Sequence, residues 1–476
     1  MSDMPMPSAA AGAAPSGPPR SRTPLPTLPF PEVQGWASLP GLKLALIGAL
    51  LLLMLVPAGM VSSVIAEREE RQEAVREDIA RGWGPAQAVA GPVLVVPWQA
   101  PVPAKPLPGL PPQPPELVTG TVQILPRTLA ASVRLQPEQR RRGLFGTVVY
   151  EADVALQGSF TIPDLAIPGH PGAELLWRDA YVVQAATDLR AAPAETPLTW
   201  DGEARGGTSD LPLGERCGDM AVMGWRLGLA GPPGRAVAFS TRFPLRGTGS
   251  FRLAPAARDV MLRLDAPWAT PSFGGAALPA RSDVTGAAFG AEWRGGTGLR
   301  QAAWVEQGAG CGAALQAAQA QSFGVDLLEA VPTYRMVTRA SKYALLFLAL
   351  SFLTYFLFER TARIRIGLVQ YGLLGLSVSL FGLLLLALAE PFGFGWAYAV
   401  ATAAVLAQGS LFTAAVTRRP RLALVFTGVM GALFGFLYVV LGQENYALLS
   451  GTVALFAVLS VVMAVTQRLD RAGAGA

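Results

Sequence analysis

The residues able to do chemistry are few and far apart. The single histidine, His170, sits in Pro168-Gly169-His170-Pro171, a composition that reads as a surface turn rather than a ligand. A metal centre needs several His, Cys or carboxylate groups converging on one ion, and no second histidine exists to begin one. Asp164, Asp201, Asp210 and Glu292 are scattered through the middle of the chain, and their spacing pairs none of them for acid–base work. Neither a Gly-x-Ser-x-Gly elbow, a Gly-rich phosphate loop nor a Cys-x-x-Cys motif is present. The expectation is a non-enzymatic protein with no catalytic, cofactor-binding or metal site.

Two cysteines remain, Cys217 and Cys311. Both fall in a segment read below as extracytoplasmic, where paired thiols oxidise, so a Cys217–Cys311 disulfide is expected, with two buried free thiols as the alternative.

The elements that must position these residues are dominated by apolar runs. Six are long enough to cross a hydrocarbon core of about 30 Å, at residues 42–66, 342–358, 366–389, 395–416, 422–441 and 446–466. In the last third, arginines occupy alternate gaps. Arg360, Arg363 and Arg365 follow one run, Arg418, Arg419 and Arg421 another, and Arg468 and Arg471 follow the last. The gaps around Glu390 and Gln443-Glu444-Asn445 carry no Lys or Arg. Positive charge in short loops stays cytoplasmic, so both termini are expected inside. Residues 1–41 then form a disordered cytoplasmic leader, 42–66 an anchor helix, 67–341 a periplasmic β-rich domain, 342–467 five transmembrane helices and 468–476 a cytoplasmic tail. A cleaved signal peptide is the competing reading of the first run, given Val64-Ile65-Ala66, but the leader and apolar run are too long for one. Pro57 should kink that helix or mark its last turns. The net charge of +5 does not argue for nucleic acid, because the basic residues flank spans or are mixed with acids.

Charged residues 67–80, with Glu67–Arg71 and Glu77–Arg81 at i,i+4 spacing, continue the anchor as a solvated helix. The period then changes to two. Val148, Tyr150, Ala152, Val154 and Leu156 alternate with Val149, Glu151, Asp153, Ala155 and Gln157, and Val237-Phe239-Thr241-Phe243 and Val260-Leu262-Leu264 repeat the pattern. The fold class is thus a multi-domain membrane protein. It has an anchor helix, a mainly-β domain that is antiparallel and sandwich-like with room for two lobes, and a C-terminal bundle of five helices. The proline-rich stretch at 101–115 reads as an exposed loop. Within the spans, Gln370, Thr402, Gln408, Ser410 and Thr413 are read as interhelical hydrogen-bonding groups, and Gly428, Gly431 and Gly435 as a small-residue face for close intramolecular packing.

Further residues carry a resemblance. Trp83-Gly84, Gln87 and Gly91-Pro92-Val93-Leu94-Val95-Val96-Pro97 open it, followed by Arg142-Gly143-Leu144-Phe145 with Tyr150 and Gly158-Ser159-Phe160. Then come Trp268 with Pro271-Ser272-Phe273-Gly274-Gly275, Phe289-Gly290-Ala291-Glu292-Trp293, and Phe323-Gly324-Val325 leading through Tyr334 to Arg339 and Lys342. Phe358-Glu359, Gln370-Tyr371, Glu390 and Tyr446-Ala447-Leu448-Leu449 close it. In this order and spacing, over about residues 42–470, the chain resembles the CreD family of inner membrane proteins. It departs at Gly367-Leu368, where that family usually has His-Pro, and at Pro391, where a His is common, so a histidine-based proton or metal role cannot operate here. The resemblance implies a role in cell-envelope integrity and envelope stress without an established reaction. The expected partners are membrane lipids and an envelope protein or polymer, not nucleic acid, with a transporter or lipid flippase as the alternative. Segment 268–279, with Trp268, Pro271 and Phe273, reads as a packed turn holding two strands. If it were a partner-binding segment instead, Phe273 should be exposed.

Overall fold

A computed structural model describes residues 40–102, 115–208, 210–212, 214–296, 301–308, 312–328, 333–362 and 364–442, with 449, 451–453, 456, 459–460 and 463. The proline-rich stretch and most of the run at 446–466 lie outside these residues.

The anchor is two helices, α1 (Pro40–Leu53) and α2 (Leu55–Trp83). The break falls at Met54, and not at Pro57, because a proline ring clashes with the carbonyl four residues back, here that of Leu53. The hydrogen bond Met54 N–Leu50 O at 2.9 Å keeps the two pieces nearly continuous. Beyond the apolar run α2 becomes charged. Arg71 pairs with Glu67 at 2.7 Å, whereas Arg81 takes Asp78 at 3.2 Å in place of the expected Glu77.

Among the described residues the strands form one sheet of ten and one of eight. The alternating pattern in the sequence explains how they face. Strand Val237–Thr248 buries every second residue from Val237 to Leu245, and Phe145–Phe160 does so from Tyr150 to Leu156. One hydrophobic cluster draws Val89, Leu94, Val96 and Trp98 from the larger sheet and Leu129, Val133, Val154, Phe243 and Leu262 from the smaller. Pairing is mostly antiparallel, with two exceptions that the period-two pattern could not reveal. Gln87–Val102 runs parallel to Ser250–Ala254, and Asp259–Ala266 parallel to Thr128–Arg142. Val149, expected on the wet face, is buried, because α2 packs against Phe145–Phe160 and Val237–Thr248.

A short helix, α3 (Gly312–Gln319), packs Ala314, Leu315 and Ala318 into a second cluster on the larger sheet that also contains Cys217 and Met220. An amphipathic helix, α4 (Thr333–Lys342), leads into α5 (Ala344–Ala362), α6 (Leu368–Phe392), α7 (Phe394–Thr417) and α8 (Pro420–Gly442). Among the described residues five segments are long and apolar enough to cross a membrane: the anchor Gly41–Trp83 and the four from α5 to α8. The gap around Glu390 is tight. Pro391 lies in the last turn of α6, and Gly393, at φ 79°, turns the chain directly into α7.

Candidate functional site at the junction of the β domain and the membrane helices

The residues with the densest polar contacts hold the two halves of the molecule together. At the end of α2, Trp83 Nε1 donates to the Tyr150 carbonyl at 3.2 Å. Two guanidinium groups, of Arg140 and Arg246, lie over its ring at 3.7 and 4.5 Å, close enough for cation–π attraction. Gly84 follows, and Thr248 Oγ1 donates to its carbonyl at 2.7 Å. Gln87 is buried and reaches a strand and a loop, with Nε2 donating to Arg246 O at 2.6 Å and Asp188 O at 3.2 Å. Tyr150 is fully buried and donates to Ser250 O at 2.5 Å, and burial pushes its phenol far above the usual value, so it remains a neutral donor. Arg142 pairs with Asp78, and Arg190 Nη1 donates to Arg81 O at 3.1 Å. Asp188 is the acid beside Arg190. Burial would raise its pKa, but hydrogen bonds from the Arg190 backbone and guanidinium outweigh that and hold it below the usual range.

A second contact lies nearer the bundle. Phe145, at the turn of its hairpin, meets the Tyr334 ring of α4 at 6.1 Å and packs against the membrane cluster. Tyr334 OH donates to Glu390 Oε1 at 2.9 Å, Arg68 Nη1 lies 3.8 Å from the same oxygen, and Thr338 donates to Glu69 at 2.6 Å. Helices α2, α4 and α6 are thereby joined where the β hairpin touches them. At the other end of the bundle Lys43 on α1 pairs with Glu359 on α5 and donates to Ile366 O at 2.8 Å. The Ile366 N–H at 3.3 Å and Tyr371 OH at 3.4 Å complete the carboxylate's partners.

Of the polar residues singled out in the spans, Gln408, Thr413 and Ser410 bridge helices, whereas Gln370 Oε1 and Thr402 Oγ1 meet no partner on another helix among the described residues. Ser377 donates to Gln408 at 2.8 Å, Tyr355 and Thr413 hydroxyls meet at 2.8 Å, and Ser410 and Thr427 at 2.5 Å. The glycine reading is different. A Cβ on Gly431 would meet Leu406 at an ordinary 3.8 Å, and at Gly428 and Gly435 nothing described lies within 4 Å. Close helix approach occurs instead at Gly375, where a Cβ would fall 2.9 Å from Phe352 and 3.0 Å from Met54, at Gly382 against Val61 at 3.0 Å, and at Gly409 against Phe426 at 2.9 Å. One cavity among the described helices, beside Ala340 and Phe434, holds about 20 Å³, room for one water.

The dispersed carboxylates stay apart. Asp201 pairs with Arg235 at 2.5 Å, Asp210 with Arg226 at 3.3 Å, and Glu292 with Arg294. His170 lies in a turn, its ring 5.0 Å from that of Trp98. No group of three potential metal ligands is found among the described residues. Cys217 is buried and disulfide-bonded, while Cys311 lies outside the described residues, just ahead of α3. Peptide mapping under non-reducing conditions is expected to find Cys217 linked to Cys311. Recovery of both as alkylatable thiols would end that expectation.

Segment 268–279 is more regular than a turn. Pro271–Gly275 is a strand paired with Phe323–Leu327 at the end of the larger sheet. Trp268 Nε1 donates to Leu328 O at 2.9 Å. Phe273 is half-buried, edge-on to Phe289 at 5.6 Å and Trp293 at 5.7 Å. Phe273→Ala is therefore expected to cost about 2 kcal/mol of β-domain stability, read from thermal unfolding of the purified chain. Unchanged stability with a lost phenotype would instead favour the partner-binding reading of Trp268, Pro271 and Phe273.

One depression in the β domain is a groove of about 870 Å³ on the eight-stranded sheet. Cross-strand register lines up Arg294, Met261, Ala130, Gln157, Ser240 and Thr199 across six strands. It lies at the Thr128 end of Thr128–Arg142, whose Arg142 end meets α2. At about 3.3 Å per residue this puts it roughly 40 Å along the strand from the contact with α2.

Comparison with known proteins agrees with this architecture. The chain is 28% identical over 454 residues to the inner membrane protein CreD of Escherichia coli strain K12, covering 90% of this chain and 92% of that protein. The model of the family described as inner membrane protein CreD matches residues 40–472. An apolar anchor, a large mainly-β domain docked on it and a bundle of membrane-spanning helices, matched over nearly the whole length, make this chain a member of the CreD family of inner membrane proteins.

Proposed function

We propose that the protein supports cell-envelope integrity under stress without catalysis, by binding an envelope protein or polymer through a periplasmic β domain held fast to the inner membrane. The supporting observation is the pair of contacts around Trp83 and around Tyr334–Glu390, which couple the domain to α2, α4 and α6. A surface about 40 Å along the strands from the contact with α2 suits a partner deeper in the envelope, and the groove across Gln157 and Ser240 is the surface this reading assigns to it. A photo-crosslinker at Gln157 or Ser240 is expected to capture an envelope component in stressed cells. Capture no greater there than at exposed Thr285 would remove the groove from the proposal.

The orientation follows the arginine alternation, with both termini cytoplasmic. Single cysteines at Thr285 and Gln443 should react with an impermeant maleimide in intact cells, and one at Arg419 only after permeabilisation. The reverse at any of the three overturns it.

A further inference from the structure

The arginine-rich end of the bundle gathers separate stretches of chain. Lys43 of α1 joins Glu359 of α5 and the Ile366 carbonyl ahead of α6. Arg419 Nη1 donates to Ala362 O at 3.2 Å, tying the turn between α7 and α8 to the end of α5. Around this seam Arg360, Arg365, Arg418, Arg419 and Arg421 are all exposed. The ion pairs formed among the described residues include none of the five. Residues 342–442 contain two acids, Glu359 and Glu390. The first is committed to Lys43, and the second lies with Tyr334 and Arg68 at the opposite end. No acid of the described bundle is left to neutralise the cluster.

Topology alone would be served by arginines scattered along two independent loops. Here the loops are tied together, and the residues leading away from them into the span are exposed and apolar: Leu368 and Val369 after Arg365, Leu424 and Val425 after Arg421. Guanidinium groups bind phosphate oxygens through paired N–H donors, and basic clusters between helices at a membrane surface take anionic headgroups. We infer that this seam is a binding site for an anionic phospholipid, with its phosphate among Arg360, Arg365, Arg419 and Arg421 and its acyl chains along the exposed apolar residues of α6 and α8. The site depends on the bundle spanning the membrane, and neither on the envelope role nor on which terminus faces the cytoplasm.

The test uses the purified full chain in detergent and native mass spectrometry, with phosphatidylglycerol and phosphatidylcholine of identical acyl chains. Each cation near an anionic surface contributes about fivefold, so phosphatidylglycerol should be held at least about tenfold more tightly. Arg360→Gln/Arg365→Gln/Arg421→Gln, which spares the backbone tie of Arg419, should abolish that preference while leaving phosphatidylcholine retention unchanged. Lysine at the same three positions keeps the charge but not the fork, and should retain part of it. Arg127→Gln/Arg178→Gln/Arg258→Gln, at exposed positions of the β domain, should change nothing. Equal retention of the two lipids by the native chain overturns the proposal. So does an equal loss in both glutamine triples, which would reflect net charge alone. Displacement of the lipid by inorganic phosphate or polyglutamate as readily as by phosphatidylglycerol would assign the cluster to a free anion or an acidic protein instead.

Discussion

Gly84→Ala is expected to destabilise the protein by about 3–4 kcal/mol, far more than adding one methyl group at an open position. Gly84 has φ 150°, and a Cβ there would lie 2.4 Å from the Arg246 carbonyl oxygen and 2.9 Å from its carbon. These are backbone atoms of a central strand and cannot swing aside. Moving them would pull Arg246 O from Gln87 Nε2 and Thr248 from the Gly84 carbonyl, and would shift one of the guanidinium groups that lie over Trp83. Gly143→Ala is the matched control. Gly143 also has a positive φ, 65°, but nothing lies within 4 Å of its Cβ position, so that change carries conformational strain of about 1 kcal/mol alone. Thermal unfolding of the full chain in detergent distinguishes the two. At roughly 2–4 °C per kcal/mol for a domain of this size, Gly84→Ala should lower the midpoint by about 6–16 °C, with faster proteolysis between α2 and the first strand. Equal effects of the two substitutions would mean the junction relaxes freely and does not hold the domain to its anchor.

The sequence showed the β domain and the spans wherever burial is periodic, and failed where a structural role depends on a distant partner. Alternation along Val237–Thr248 is legible because one face is buried and one is wet. Val149 broke the rule because α2, over sixty residues earlier, covers it. The parallel pairs escaped for the same reason, since side-chain period does not encode strand direction. Glycine spacing was less informative. Gly428, Gly431 and Gly435 are the dense small-residue run, yet among the described residues the tight approaches between helices fall at Gly375, Gly382 and Gly409, against Phe352 and Met54, Val61 and Phe426. Small residues permit close packing, but the neighbour decides whether it happens. Of the junction, Trp83-Gly84, Gln87, Arg142-Gly143-Leu144-Phe145 and Tyr334 stand out in the sequence only as blocks of a family resemblance, while Tyr150 also carries the strand alternation and Glu390 an arginine-free gap. The structure gives most of them one physical task, docking the β domain onto the membrane helices. Glu359 belongs to the same set of blocks and serves the bundle's far end.

That far end supplies the second large expected effect. Lys43 and Glu359 are 316 residues apart, with side-chain exposures of 21% and 12%, and their segments sit at a membrane boundary where an unpaired charge is costly. Removing one partner of a largely buried pair typically costs about 3–5 kcal/mol because the other charge remains. The two deletions should differ. Lys43→Met strands the more buried carboxylate with Tyr371 and the Ile366 N–H as its remaining donors, and is expected to cost about 3–4 kcal/mol. Glu359→Gln leaves a lysine with the Ile366 carbonyl at 2.8 Å and a long arm able to reach the headgroups, so about 2 kcal/mol is expected. The double variant Lys43→Met/Glu359→Gln removes both charges and should be more stable than the sum of the single losses by about 2 kcal/mol. Denaturant titration of the four proteins in one detergent closes this cycle. Strict additivity would show that Lys43 and Glu359 do not act as a pair, and that α1 is held to α5 and α6 by apolar contacts such as Leu50 against Gly372 alone.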